Sequence, residues 1–101
     1  MAKYVVFYED AQEDAVPQDL VPDLVKSHVE HIRALHSQGI LFMCGPMEST
    51  GIAMLIFEAN SQEEVEACIL KDPFIAHKCY ANYRIDKWIE ANESNNFLMD
   101  V

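Results

Sequence analysis

The chain has 101 residues, half of them apolar and about a quarter charged, with three glycines and four prolines. That length supports one folded domain with a real core and is too short for two. Seventeen acids against seven bases give a formal charge of −10, a field that repels phosphate backbones and anionic lipid surfaces. Neither nucleic acid nor a membrane is therefore an expected partner.

The first residues, MAKYVVFYED, turn acidic after a very short apolar run, unlike a signal peptide. No stretch approaches membrane-spanning length. KYVVFYE is β-branched and aromatic and predicts a strand over 3–8. An acidic loop follows, with Asp19 as the expected helix cap and Pro22 in a first turn, where its missing N–H is tolerated. From Leu20 to Gln38 the residues Val21, Leu24, Val25, Val29, Ile32 and Leu35 recur at helical spacing, and Gly39 supplies the stop. ILFMCG (40–45) and IAMLIFEA (52–59) predict strands joined by a hairpin connection, GPMESTG. Ser61 with Glu64 forms a capping box that opens a second helix, with Val65, Cys68 and Ile69 inward, ending near Leu70. Asp72-Pro73-Phe74 breaks that helix, and CYANYRIDKWI (79–89) predicts the last strand. The domain is expected over residues 1–90, followed by a C-terminal tail, 91–101, polar first and apolar at the end. Cys44, Cys68 and Cys79 are odd in number and form no C-x-x-C pair. That is neither a disulfide framework nor a zinc ribbon, and reduced thiols in a cytoplasmic protein are the natural account.

The order β-α-β-β-α-β, with right-handed crossovers and short connections, predicts an α+β, ferredoxin-like protomer. Its four-stranded antiparallel sheet carries both helices on one face. The strands are apolar almost throughout, so the face without helices also expects cover. A second copy packed sheet to sheet provides it, and the expected assembly is a homodimer. The alternative is that loops or the tail cover that face. Phe97, Leu98 and Met99 in the tail either dock on the sheet edge or the partner subunit, or fray.

Three histidines fall on the first helix. At about 100° per residue, Val21, Leu24, Val25, Ile32 and Leu35 lie within roughly 60° of His28, which puts His28 in the inward stripe with His31 and His36 on opposite flanks. His31 and His36 are about 140° apart around the axis, so the three cannot converge on one ion, and no metal site is expected. His28 reads two ways: a core histidine bonded to a backbone carbonyl, or a site residue. Topology brings Asp72 to the end of the domain where His28 sits. A buried imidazole beside a carboxylate is held in one tautomer and suited to proton transfer. Asp before Pro is also an ordinary turn, with Phe74 a core residue. No serine or cysteine has an evident base partner, and no Gly-rich phosphate loop is present.

His28 followed by VEHIRALHSQGIL, Gly-Pro at 45–46, Ser61 with QEE, Lys-Asp-Pro-Phe at 71–74 and an aromatic-rich strand ending at Trp88 together resemble the YciI-like family, from residue 3 to about 89. The resemblance implies ferredoxin-like protomers that pair into a dimeric α+β barrel. It also implies a catalytic His–Asp dyad in a pocket, at His28 and Asp72. It further implies a cofactor-independent enzyme, one branch of the family resembling dehydrochlorinases of chlorinated hydroxyquinols. The short GPMESTG turn departs from relatives in which longer versions can wall the pocket. The expected ligand is a small, cyclic or aromatic molecule undergoing proton abstraction, isomerisation or elimination. The rival readings are a dimer that binds a metabolite without turning it over, and a structural dimer that regulates a partner through its acidic surface.

Overall fold

A computed structural model describes residues 1–99. The elements in chain order are β1 (Ala2–Ala11), α1 (Val21–Ser37), β2 (Leu41–Pro46), β3 (Ala53–Ala59), α2 (Gln62–Leu70), a one-turn α3 (Pro73–Ala76) and β4 (Tyr80–Trp88). The sheet is antiparallel with strand order β2-β3-β1-β4. This is the ferredoxin-like α+β fold. It differs from the expected element list in one place: Asp72-Pro73-Phe74 breaks α2 and then starts a new turn of helix. The Asp72 carboxylate accepts from the Phe74 N–H and caps it, and Pro73 occupies a first-turn position where an N–H is not needed.

The turn chemistry follows the sequence closely. Gly39 takes φ +76° after α1. Its N–H donates to the His36 carbonyl, and the Ile40 N–H donates to that of Leu35, the two bonds that close a helix with a left-handed residue. At the other end of α1 Asp19 is not a cap. It sits in a 3₁₀ turn, Gln18–Leu20, that leads into the helix, and among the described residues no side chain caps α1. Ser61 caps α2 by accepting from the Glu64 N–H at 3.2 Å, while the Glu64 carboxylate reaches back to the N–H of Asn60.

Period-two alternation divides the sheet. Tyr4, Val6 and Tyr8 of β1 join Leu55 and Phe57 of β3, Leu41 of β2, Leu35 of α1, and Val65 and Ile69 of α2 in one buried core. Val5 and Phe7 face the other way, opposite Ile56 and Met54, with Met43 beyond. That second face is apolar at its centre and charged at its border. The Arg84 guanidinium lies 4.4 Å above the Phe7 ring, and Lys3 reaches Glu58 at 3.6 Å.

One expectation fails on α1, and one alternative for the tail drops out. Val25, placed in the inward stripe, is 42% exposed, as is its neighbour Val29 at 41%. Next to Val29, an open groove between α1 and β2 replaces close packing, lined by Ile32, Leu41 and Phe42, where β2 breaks register between Leu41 and Met43. In the tail, Asn92 and Asn95 form a reciprocal cap around a short 3₁₀ stretch. Phe97, Leu98 and Met99 remain exposed, so the protomer does not seat them on its own sheet edge. Asp100 and Val101, the rest of the tail, lie outside the described residues.

Candidate active site

His28 sits in the first half of α1, over the end of the sheet where β1 finishes and β4 begins. There the α2–α3 junction delivers Asp72, whose residue is 1% exposed. The His28 Nδ1 lies 2.7 Å from Asp72 Oδ1, as the topology anticipated. Two further donors meet the same carboxylate: the Phe74 N–H at 3.0 Å on Oδ1 and the Tyr8 hydroxyl at 2.9 Å on Oδ2.

These contacts fix the protons. A carboxylate that accepts from a backbone N–H and a phenol is acting as the ionised acceptor. Its bond to His28 therefore uses Nδ1–H as the donor. The neutral imidazole is thereby held with its lone pair on Nε2, which has no protein partner among the described residues. The Phe74 ring stacks on the imidazole with centroids 3.8 Å apart and planes 8° from parallel. Asp-Pro-Phe thus supplies both the carboxylate that orients the ring edge and the aromatic that fixes its plane.

His28 opens on a cavity of about 160 Å³ shared with Tyr8, Cys44, Gly45, Pro46, Ala53, Leu55, Phe74 and Tyr80. The Gly-Pro pair at the end of β2 contributes a wall although the turn after it is short. Among the described residues, none of the acidic loop lines this cavity. Val16 and Leu20 at its end instead border a separate groove with Pro73 and His77. Among the described residues, no lysine or arginine lines the cavity.

Burial, then the Asp72 charge and the hydrogen bond to it, push the Tyr8 phenol far above the ordinary phenol range. Tyr8 therefore keeps its proton and donates it to Asp72. Burial, reinforced by Cys79 and Asp72, also raises Tyr80. Desolvation and the Asp72 charge raise the Cys44 thiol, which therefore stays protonated and is a poor nucleophile.

The other histidines are elsewhere. His31 uses its Nε2–H to donate to the Cys68 carbonyl at 2.9 Å, a structural tie between α1 and α2. His36 is exposed in the last turn of α1, and His77 is exposed beyond α3. Sequence reasoning missed Tyr8 and Tyr80. Tyr8 was legible in principle, since it shares the parity of Tyr4 and Val6 and so had to face the helices. Tyr80 carries no such signal.

A family model for the YCII-related domain matches residues 2–89. The chain belongs to that family. No curated protein matches this YCII-related domain in sequence. Among solved structures it is similar to 5-chloro-2-hydroxyhydroquinone dehydrochlorinase from Burkholderia phenoliruptrix AC1100, in complex with 2,5-dihydroxybenzoquinone. The TM-score is 0.70 at 18% identity, over 93% of this chain and 99% of that one. It is also similar to an antibiotic biosynthesis monooxygenase, with a TM-score of 0.53 at 7% identity, over 91% of this chain and 100% of that one. At these identities the likeness is one of fold. Among the described residues no helix is long and apolar enough to cross a membrane.

Proposed function

We propose that this YCII-related protein is a cofactor-independent proton-transfer enzyme acting on a small, uncharged cyclic or aromatic molecule. His28 is its general base and acid, and Asp72 its orienting carboxylate. The observation that carries the reading is the 2.7 Å bond from a buried, three-fold hydrogen-bonded carboxylate to a histidine on a cavity wall. That bond leaves Nε2 free for a substrate proton. When Nε2 accepts it, the imidazolium is stabilised by Asp72 through Nδ1–H. Returning the proton to another carbon completes an isomerisation. In an elimination the electron pair of the broken C–H bond forms a double bond, chloride leaves with its own pair, and the proton passes from His28 to solvent.

Cavity size and charge narrow the substrate. A cavity of about 150 Å³ accepts a single benzene ring, close to the volume here. With no cation on the wall and an ionised carboxylate behind it, a carboxylate or phosphate substrate would be buried without a counter-charge. The dehydrochlorinase of similar fold, by name, acts on a ring of this kind and holds a dihydroxybenzoquinone.

The expected assembly is a homodimer closed over the second sheet face, where Val5, Phe7, Met43, Met54 and Ile56 form the apolar centre. Sedimentation should show a dimer at micromolar concentration; a monodisperse monomer would remove the barrel arrangement.

The catalytic reading is tested by incubating the protein in D₂O with a panel of hydroxylated and chlorinated quinols, cyclic enones and lactones, following carbon-bound deuterium and chloride release by NMR and ion chromatography. At least one compound should exchange or eliminate with wild type, and His28→Gln should lose that activity. A compound that binds both proteins and is altered by neither would make this a binding protein.

A further inference from the structure

Tyr8 belongs to neither half of the His–Asp pair, yet it touches both the carboxylate and the cavity. Its hydroxyl occupies Asp72 Oδ2 at 2.9 Å, and its ring lines the wall that His28 lines. It comes from β1, the element farthest in sequence from Asp72, and is 1% exposed. Its ring packs on that of Tyr80 with centroids 5.4 Å apart, so the phenol is held at a fixed angle.

We infer that Tyr8 is a positioning residue of the proton-transfer pair, setting through Asp72 how strongly the His28 Nδ1 proton is held. The inference rests on the reading of His28 and Asp72 as that pair and adds a third member to it. Two consequences follow from the geometry. Oδ2 is spoken for, so Asp72 cannot rotate to present it to His28, and the Nδ1–H is confined to Oδ1, where the Phe74 N–H also lands. Each hydrogen bond to the ionised form of a carboxylate also stabilises it and lessens its demand for further protons. Tyr8 therefore restrains Asp72 from drawing the Nδ1 proton toward itself. The proton stays on the imidazole, and Asp72 acts as an ionised partner that stabilises the imidazolium formed when Nε2 takes a proton. A phenol is the group for this task because burial and the neighbouring carboxylate keep it protonated.

The test is the proton NMR resonance of His28 Nδ1–H and the His28 ring-nitrogen shifts in wild type, Tyr8→Phe, Tyr80→Phe and Asp72→Asn. Removing the phenol hydroxyl should strengthen the His28–Asp72 bond and move the Nδ1–H resonance downfield. Tyr80→Phe, which alters the same wall without touching Asp72, should leave it in place. A merely structural role for Tyr8 predicts no directed shift, or loss of the resonance together with the fold. Should Tyr8→Phe fail to fold, 3-fluorotyrosine at position 8 supplies a more acidic phenol in the same volume. The resonance should then move upfield. A resonance unmoved by either change, or moved the same way by both, overturns the role of Tyr8. If Asp72→Asn leaves the ring-nitrogen shifts of His28 as in wild type, the pair itself is not formed, and the underlying reading fails separately.

Discussion

Helix α1 is fastened to the rest of the molecule by two histidines three residues apart, and the two attachments differ in kind. At the α1–α2 junction His31 donates to the backbone carbonyl of Cys68, an acceptor that cannot ionise and asks only for a proton on Nε2. At the α1–α3 junction His28 donates to a buried carboxylate that two other groups hold in place. Both bonds secure the helix. Only the second leaves a ring nitrogen on a cavity wall with a charge behind it to stabilise an added proton. The acceptor, rather than the histidine, separates a structural tie from the proposed proton-transfer pair.

The contrast can be broken most severely at Asp72. Replacing it with alanine strands the Tyr8 hydroxyl, the Phe74 N–H and the His28 Nδ1–H together. Breaking a buried pair by removing one partner costs about 3–5 kcal/mol, and urea unfolding of Asp72→Ala should show a loss of that order. A loss under about 1 kcal/mol would mean that the carboxylate is not the hub the distances describe.

Alkaline pH sharpens the comparison at Tyr8, for which nothing at the His31 junction is a counterpart. The folded phenol is raised, while an unfolded tyrosine titrates near ~10. Above that pH the unfolded chain releases a proton that the folded chain keeps, so the unfolded state binds fewer protons and stability falls as pH rises. The slope is about 1.4 kcal/mol per pH unit for each such group. Tyr80 is raised as well and adds to the fall. The discriminating comparison is Tyr8→Phe, whose stability between pH 10 and 11 should drop less steeply than that of wild type in chemical denaturation. Equal slopes would contradict the account of Tyr8.

The smallest effect belongs to His31. His31→Ala removes one neutral hydrogen bond at a partly buried site and should cost about 0.5–1.5 kcal/mol. It should leave the His28 ring-nitrogen shifts unchanged. A change at His28 would mean that the two junctions are coupled through the helix.

What the sequence could tell follows the same division. The fold was legible because its determinants are local: β-branched and aromatic strand runs, Gly39 after α1, Ser61 before α2. Topology brings Asp72 to the end of the domain where His28 sits, which left His28 readable as a core histidine or a site residue, and the family resemblance pointed to the pair. The rest of the site depends on three-dimensional detail with no periodic signature. The stacking of Phe74 on His28 arises because Asp-Pro-Phe winds into a helical turn after breaking one. The aromatic wall needs Tyr80 at the start of β4 to meet Tyr8 and Phe74. The exposure of Val25 shows the converse limit, since a helical wheel gives direction and cannot say whether anything lies there to cover the residue.

The central claim is that Asp72 fixes the proton of His28 on Nδ1 and leaves Nε2 as the base. Nitrogen-15 NMR of the His28 ring at a pH where the imidazole is neutral reads this directly. The account predicts a protonated-type shift at Nδ1 and a lone-pair-type shift at Nε2 in wild type, with the distinction weakened in Asp72→Asn. A neutral His28 carrying its proton on Nε2 would contradict it.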